Sequence, residues 1–80
     1  MSKQKPEVVF RIGAVSASVF VNKTDSGERR NVTLQRRYKD GDDWKSTSSF
    51  GLADLPVAEA VLRRAFDYVA EKEVMVVPNE

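Results

Sequence analysis

Five basic residues, Arg29, Arg30, Arg36, Arg37 and Lys39, fall within eleven consecutive positions that contain no acidic residue. Three aromatic side chains, Phe20, Tyr38 and Trp44, lie within this run or flank it. Cations spaced along a chain with aromatic planes between them supply the two halves of binding to a flexible polyanion: neutralised phosphates and stacked bases. Arg30, Arg36, Arg37, Lys39 and Lys45 are the phosphate candidates, with Arg29 beside them. Phe20, Tyr38 and Trp44 are the stacking candidates. Thr47, with Ser46, Ser48 and Ser49, adds hydroxyl donors that suit phosphate oxygens without adding charge.

Other chemistries are poorly provided for. The chain has no His and no Cys, so it lacks an imidazole base, a thiol nucleophile and the commonest zinc ligands. Its acids sit in a loop (Asp40, Asp42, Asp43) or on a helix surface (Glu59, Asp67, Glu71), where solvated charge is the ordinary role. The expectation is a protein that is not an enzyme, with no metal, cofactor or small-molecule substrate. The polar N-terminus does not resemble a signal peptide, and no apolar run reaches the ~18 residues of a membrane span. A soluble cytoplasmic protein without a membrane partner is expected, nucleoid-associated in a bacterial or phage setting.

Net charge is +1, but it is unevenly spread. Residues 1–52 carry ten Lys/Arg against six Asp/Glu, whereas residues 53–80 carry three against six. The first part of the chain is therefore the basic side of the molecule, and a polyanion is directed there.

The elements that must position these groups can be read from periodicity. Residues 7–12 form a first strand rich in Val, Phe and Ile, closed by Gly13. Residues 14–22 alternate strictly: Val15, Ala17, Val19 and Val21 point one way, Ser16, Ser18, Phe20 and Asn22 the other. Residues 24–27 supply turn chemistry, so a hairpin leads into a third strand over residues 29–38. There Val32 and Leu34 take the apolar phase, and Thr33, Gln35 and Arg37 the polar phase. Arg36 shares the parity of Leu34. Either the strand leaves the core at that point or a bulge changes its phase, and a charge in the apolar phase makes Arg36 the strongest single candidate for the site. The acidic Gly loop at residues 40–43 precedes a fourth, polar strand over residues 44–50. For several of these residues a plainer reading stands alongside: Trp44 as a core plug, Tyr38 at the core edge, the charges of residues 29–39 as a solvated face.

Asp54 is suited to cap a helix, with Pro56 in its first turn and an end near residue 72. Its apolar residues cover about half the circumference, more than the ~100° stripe that packing on one sheet requires. Leu55, Leu62, Phe66 and Val69 are expected to face the sheet. Val57, Val61 and Tyr68 then form a second flank, read as the interface of a helix-mediated homodimer, with peripheral core as the alternative for Val57 and Tyr68. Dimerisation would also support a chain of 80 residues, in which one core seldom supplies more than ~3–5 kcal/mol. Residues 1–6 and 74–80 are read as tails around one α+β domain over residues 7–73, a four-stranded antiparallel sheet followed by one C-terminal amphipathic helix. The disordered state is expected of the first tail; the Val74, Met75, Val76 and Val77 run is left between an edge strand, an arm and a helix end.

This β-β-β-β-α order resembles the transcriptional positive cofactor four family, related in fold to the plant Whirly proteins. The residues that carry the resemblance are Phe10-Arg11-Ile12-Gly13, the Val-rich second strand, the Gly hairpin at residues 25–28, and Val32-Thr33-Leu34 running into Arg36-Arg37-Tyr38. The acidic Gly loop and Phe50-Gly51-Leu52 complete the series, which spans residues 8–70. The resemblance implies a dimer that binds single-stranded DNA on its sheet and hairpin loops, its helices supporting the dimer. It matches Arg36 and Tyr38 to the family's arginine and tyrosine, and Arg29 and Arg30 to its basic hairpin residues. Lys39 stands where the family has an aromatic, and residues 46–49 are Ser and Thr where it has basic residues.

Two functions follow. One is a sequence-independent single-stranded DNA- or RNA-binding protein serving replication, repair or transcription. The other is a protein–protein interaction module using an edge strand or the helix face.

Overall fold

A computed structural model describes residues 4–74 and Val77. Four strands, β1 (Val8–Ile12), β2 (Val15–Thr24), β3 (Gly27–Asp40) and β4 (Asp43–Thr47), form an antiparallel sheet in sequence order. One 3₁₀ turn (Leu52–Asp54) leads into the helix α1 (Leu55–Glu73). This is the α+β architecture expected of the sequence.

Two of the three hairpins turn on a glycine with positive φ, Gly13 at 60° and Gly41 at 65°. Each is the first residue of a two-residue loop, where a twist-compatible turn demands a conformation that side chains resist. Strand four is shorter than expected and ends at Thr47, leaving residues 48–51 as a connection.

Register divides the sheet into two faces, because directly paired residues point the same way. Val15 pairs with Ile12 and Arg36, Ala17 with Phe10 and Leu34, and Val19 with Val8 and Val32. That face carries the helix and is the covered face. Ser16 pairs with Arg11 and Gln35, Ser18 with Val9 and Thr33, and Phe20 with Asn31. No element of the described residues lies over this second, open face. The pairing runs through Arg36 without a bulge, to Val15 on one side and Thr47 on the other. Arg36 thus keeps its apolar phase, and the strand simply leaves the core there.

The fully buried core is Val15, Ala17, Val19, Ala58, Val61 and Ala65, none larger than valine. Small side chains on both surfaces let helix and sheet approach closely. The bulkier Val8, Phe10, Val32, Leu34, Phe50, Val57, Tyr68 and Val69 pack around this centre. Phe10 and Tyr68 meet edge to face, centroids 5.9 Å apart.

The helix face is therefore turned from the one expected, and of the four residues expected to meet the sheet only Val69 packs against the core. Val61 is fully buried against β2, and Val57 and Tyr68 are half-buried in the same packing, so the three do not form a free dimer flank. Leu55, Leu62 and Phe66 stay exposed instead. The physical reason is the flat, small-residue centre of the sheet: Ala58 and Ala65 fit against it, whereas leucine and phenylalanine at those positions would hold the helix away.

Asp54 is the N-cap of α1, yet its carboxylate caps no N–H of the helix. It turns back to accept the Gly51 N–H at 3.0 Å and to pair with Arg36 at 3.3 Å. Val74 ends the helix with an extended backbone. Met75 and Val76 of the apolar run, like residues 1–3 and 78–80 of the expected tails, lie outside the described residues. Gln4 does not stand apart from the domain; its side-chain amide donates to the Val21 carbonyl. No helix of the described residues is long and apolar enough to cross a membrane.

Candidate nucleic-acid interface

Pleat parity sorts the cations of β3 onto opposite faces. Arg29 pairs with Asn22, Arg37 with Ser46 and Lys39 with Trp44, all on the open face. Arg30 pairs with Val21, Arg36 with Thr47, and Tyr38 with Lys45, all in the phase of the covered face. The ten residues singled out from the sequence therefore divide evenly. Phe20, Arg29, Arg37, Lys39 and Trp44 share one face; Arg30, Arg36, Tyr38, Lys45 and Thr47 share the other.

On the covered side the charges are already engaged. The nearly buried Arg30 side chain donates from Nε to Glu7 at 3.0 Å and lies 3.5 Å from Glu28. Its backbone N–H donates to Glu73 near the helix C-terminus at 2.9 Å. Glu7 also accepts from the Tyr68 hydroxyl, so one carboxylate links the entry to β1, the sheet and the helix. The Tyr68 hydroxyl, followed by the Arg30 guanidinium, holds the Glu7 carboxyl below its ordinary range, and the same bond pushes the Tyr68 phenol up. Arg36 donates from Nε to the Ser49 carbonyl at 3.1 Å and pairs with Asp54, fastening the β4–α1 connection to β3. This is the reason for a charge in the apolar phase.

Lys45 pairs with Asp40 at 2.9 Å across the β3–β4 hairpin, and the Thr47 hydroxyl accepts the Ser49 N–H at 3.1 Å. Tyr38 lies at the edge of exposure, with Arg36 5.8 Å from its ring centroid.

The open side is different. Trp44 is 60% exposed, so it is no core plug. The Arg37 guanidinium lies 4.8 Å from its ring centroid and the Lys39 ammonium 5.9 Å from it. Arg11, Gly13, Ala14, Arg37 and Trp44 line a shallow hollow of about 420 Å³ where the β3–β4 hairpin projects past the β1–β2 turn. The Arg37 N–H donates to the Ala14 carbonyl at 2.8 Å and fixes that junction. No ion pair of the described residues engages Arg11, Arg29, Arg37 or Lys39.

Arg11 is the residue that the sequence reading did not place in the site. Its signal was present: β1 puts Val8, Phe10 and Ile12 in one phase and leaves Arg11 in the other. Phe20 and Arg29 lie at the far end of the same face, eight and ten residues along β3 from Trp44 in register, roughly 26 and 33 Å at the rise of an extended strand. Between the two ends run Ser18, Asn31, Thr33 and Gln35, a lane of hydroxyl and amide groups interrupted by the exposed Val9, with Ser16 itself buried.

Comparison of the chain with protein-family models, with curated proteins and with solved structures returns no match.

Proposed function

We propose that the open face of the sheet binds single-stranded nucleic acid, DNA in the first instance and RNA by the same chemistry, without reading base sequence. The observation that carries this reading is the cluster of Arg11, Arg37 and Lys39 around an exposed Trp44, on a face with no carboxylate partner for them among the described residues. A solvated cation with no internal partner keeps its full attraction for phosphate, while the indole offers a plane for any base.

Arg37 already rests against the indole. Such a contact at an exposed site is worth ~0.5–1 kcal/mol, and a stacked base ~1–3 kcal/mol. A base therefore displaces the guanidinium from the ring, and the freed guanidinium turns to the adjoining phosphate. The strand then follows the lane of hydroxyl and amide groups toward Arg29 and Phe20. No helix or ribbon is presented for reading base edges in a groove, so affinity without strong sequence preference is expected.

The family resemblance supports the same ligand, with the contacts moved from Arg36 and Tyr38 to Arg11, Arg37, Lys39 and Trp44. The test is fluorescence anisotropy of labelled oligo-dT with the full chain over a salt series. Four free cations and a single-strand coefficient of ~0.7 per phosphate give an expected slope of log K against log salt of about −2 to −3. No binding at low salt and micromolar protein would end this reading and leave the protein-interaction module in its place.

A further inference from the structure

The cations of the open face that have no carboxylate partner among the described residues are unevenly placed along it. Arg11, Arg37 and Lys39 gather at the Trp44 end, whereas Arg29 stands ten residues away along β3 with neutral side chains between. The sheet also changes shape at the crowded end. Strands β1 and β2 meet at the Gly13-Ala14 turn, and only the β3–β4 ribbon continues past it. The hollow of about 420 Å³ occupies that step, with Arg11 supplied by β1 and Arg37 and Trp44 by the ribbon. Gly13 lines it too, and among the described residues no atom beyond its chain neighbours stands within 4 Å of where its Cβ would be. The space over the turn is clear.

We infer that this hollow receives the phosphorylated end of a single strand, a phosphate monoester, and that the strand runs from there along the open face toward Arg29. The inference rests on the nucleic-acid reading of this face and adds which part of the strand the hollow holds. Charge carries it. An internal phosphate is a diester with one negative charge, and each successive diester of a strand would move on over the neutral lane. A terminal monoester brings about −1.5 to −2 charges and three acceptor oxygens to one point. Two guanidinium groups in one concavity, each a planar fork of donors, exceed what one diester can satisfy and match a monoester.

The neighbouring groups fit this occupant. Once the terminal base takes the indole, the displaced Arg37 guanidinium turns toward the phosphate that Arg11 also faces, and Lys39 stays beside the ring for the next diester. Of the acids at the adjoining hairpin tip, Asp40 and Asp43 pair with each other in the covered phase, and Lys45 holds Asp40. Asp42 lies in the turn itself. From Trp44 to Phe20 the face offers room for about eight nucleotides at the stacked rise of ~3.4 Å. A free mononucleotide would fill the hollow and forgo all of that length, so the class of ligand is a strand end.

The test is displacement of labelled oligo-dT from the full chain by unlabelled oligo-dT of about twelve residues, within the ~4–16 nucleotides of small single-strand-binding folds. The competitors carry no terminal phosphate, a 5′-phosphate, a 3′-phosphate, or either phosphate capped as its methyl ester. One phosphorylated end should bind about fivefold tighter than the bare strand, the upper range for an added exposed ion pair. Its salt slope should be steeper by about 0.7, and the methyl cap should abolish the gain. Arg11→Ala and Arg37→Ala should each bring the ratio close to one with circular dichroism unchanged, whereas Arg29→Ala lowers both affinities alike. Thymidine monophosphate should compete more than about a hundredfold more weakly than the phosphorylated strand. Equal affinity for every end form, a gain that survives the methyl cap or both arginine variants, or a mononucleotide as effective as the strand would each overturn the inference while the nucleic-acid reading stands. Absence of binding to every strand at low salt would end that reading and this inference with it.

Discussion

The two faces of this sheet carry similar numbers of cations and use them in opposite ways. On the covered face Arg30 is held by Glu7 and Glu28, Arg36 by Asp54 and the Ser49 carbonyl, and Lys45 by Asp40. On the open face Arg11, Arg29, Arg37 and Lys39 have no carboxylate within reach among the described residues. A packed helix explains part of the difference. Charges at the margin of an apolar core lose water and require partners, since an unpaired buried charge is costly. Water on the open face solvates each cation without help. Neighbouring positions in sequence thus differ in their surroundings: Arg36 ties a connection to the sheet, and Arg37 has no carboxylate partner among the described residues.

The comparison breaks first, and most severely, in the core. Val61→Asp buries a carboxylate with no partner between helix and sheet and should abolish cooperative folding, which a chain of this length holds by only ~3–5 kcal/mol. Urea unfolding followed by circular dichroism checks this; a stable Asp variant would mean that the helix does not cover this face.

Removal of the indole on the other side should leave the fold intact and reach the ligand alone. Trp44→Ala is expected to weaken oligo-dT binding by the ~1–3 kcal/mol of one stacked base, about 5- to 150-fold. Equal affinity for both proteins would take Trp44 out of the site.

The sharpest contrast is between adjacent arginines. Arg37→Ala or Arg11→Ala should lower the salt slope by up to about one per residue without altering the unfolding midpoint. Arg36→Ala should leave the slope unchanged and cost stability on the order of 1 kcal/mol, since Asp54 and the Ser49 carbonyl lose their donor. Titrations and melts of the three variants test both arms. The reverse pattern, a slope lost with Arg36 and stability lost with Arg37, would interchange the two faces.

A smaller effect is expected at the carboxylate that joins β1 to the helix. The native Glu7 pKa lies below its unfolded value, so its contribution to stability is present above the ordinary glutamate range and is lost as pH falls through the depressed native pKa. Tyr68 has the opposite sign: its raised pKa favours folding with the phenol protonated, and that contribution is lost as pH rises through the raised value. Glu7→Gln should therefore be less stable than wild type at neutral pH, with a difference that shrinks on acidification. A gap that stays constant down to acid pH would show that Glu7 does not titrate against Tyr68 and Arg30.

Much of this fold is local and was legible. Alternation in residues 15–22 marks a strand with one apolar face, Gly13 and Gly41 mark tight hairpins, and Pro56 after Asp54 marks a helix start. In β3, parity alone already separated Arg37 from Arg36. The helix face was misjudged because a wheel reports how wide the apolar arc is and not which part of it meets the sheet. Leu62 and Phe66 are the more hydrophobic choice, but the small residues of β2 select Ala58, Val61 and Ala65.

By itself, the amino-acid sequence determined the element order, the strand phases and the concentration of positive charge on the sheet, because each depends on neighbours in the chain. The tertiary structure alone decided which cations are spent and which are free. Glu7 reaches Arg30 across 23 positions, and Asp54 reaches Arg36 across 18. Such pairings are set by register and by where the helix lies, and no local pattern encodes them. The same holds for Arg11, which joins Arg37 and Trp44 only because antiparallel pairing carries β1 and the β3–β4 hairpin to the same end of one face.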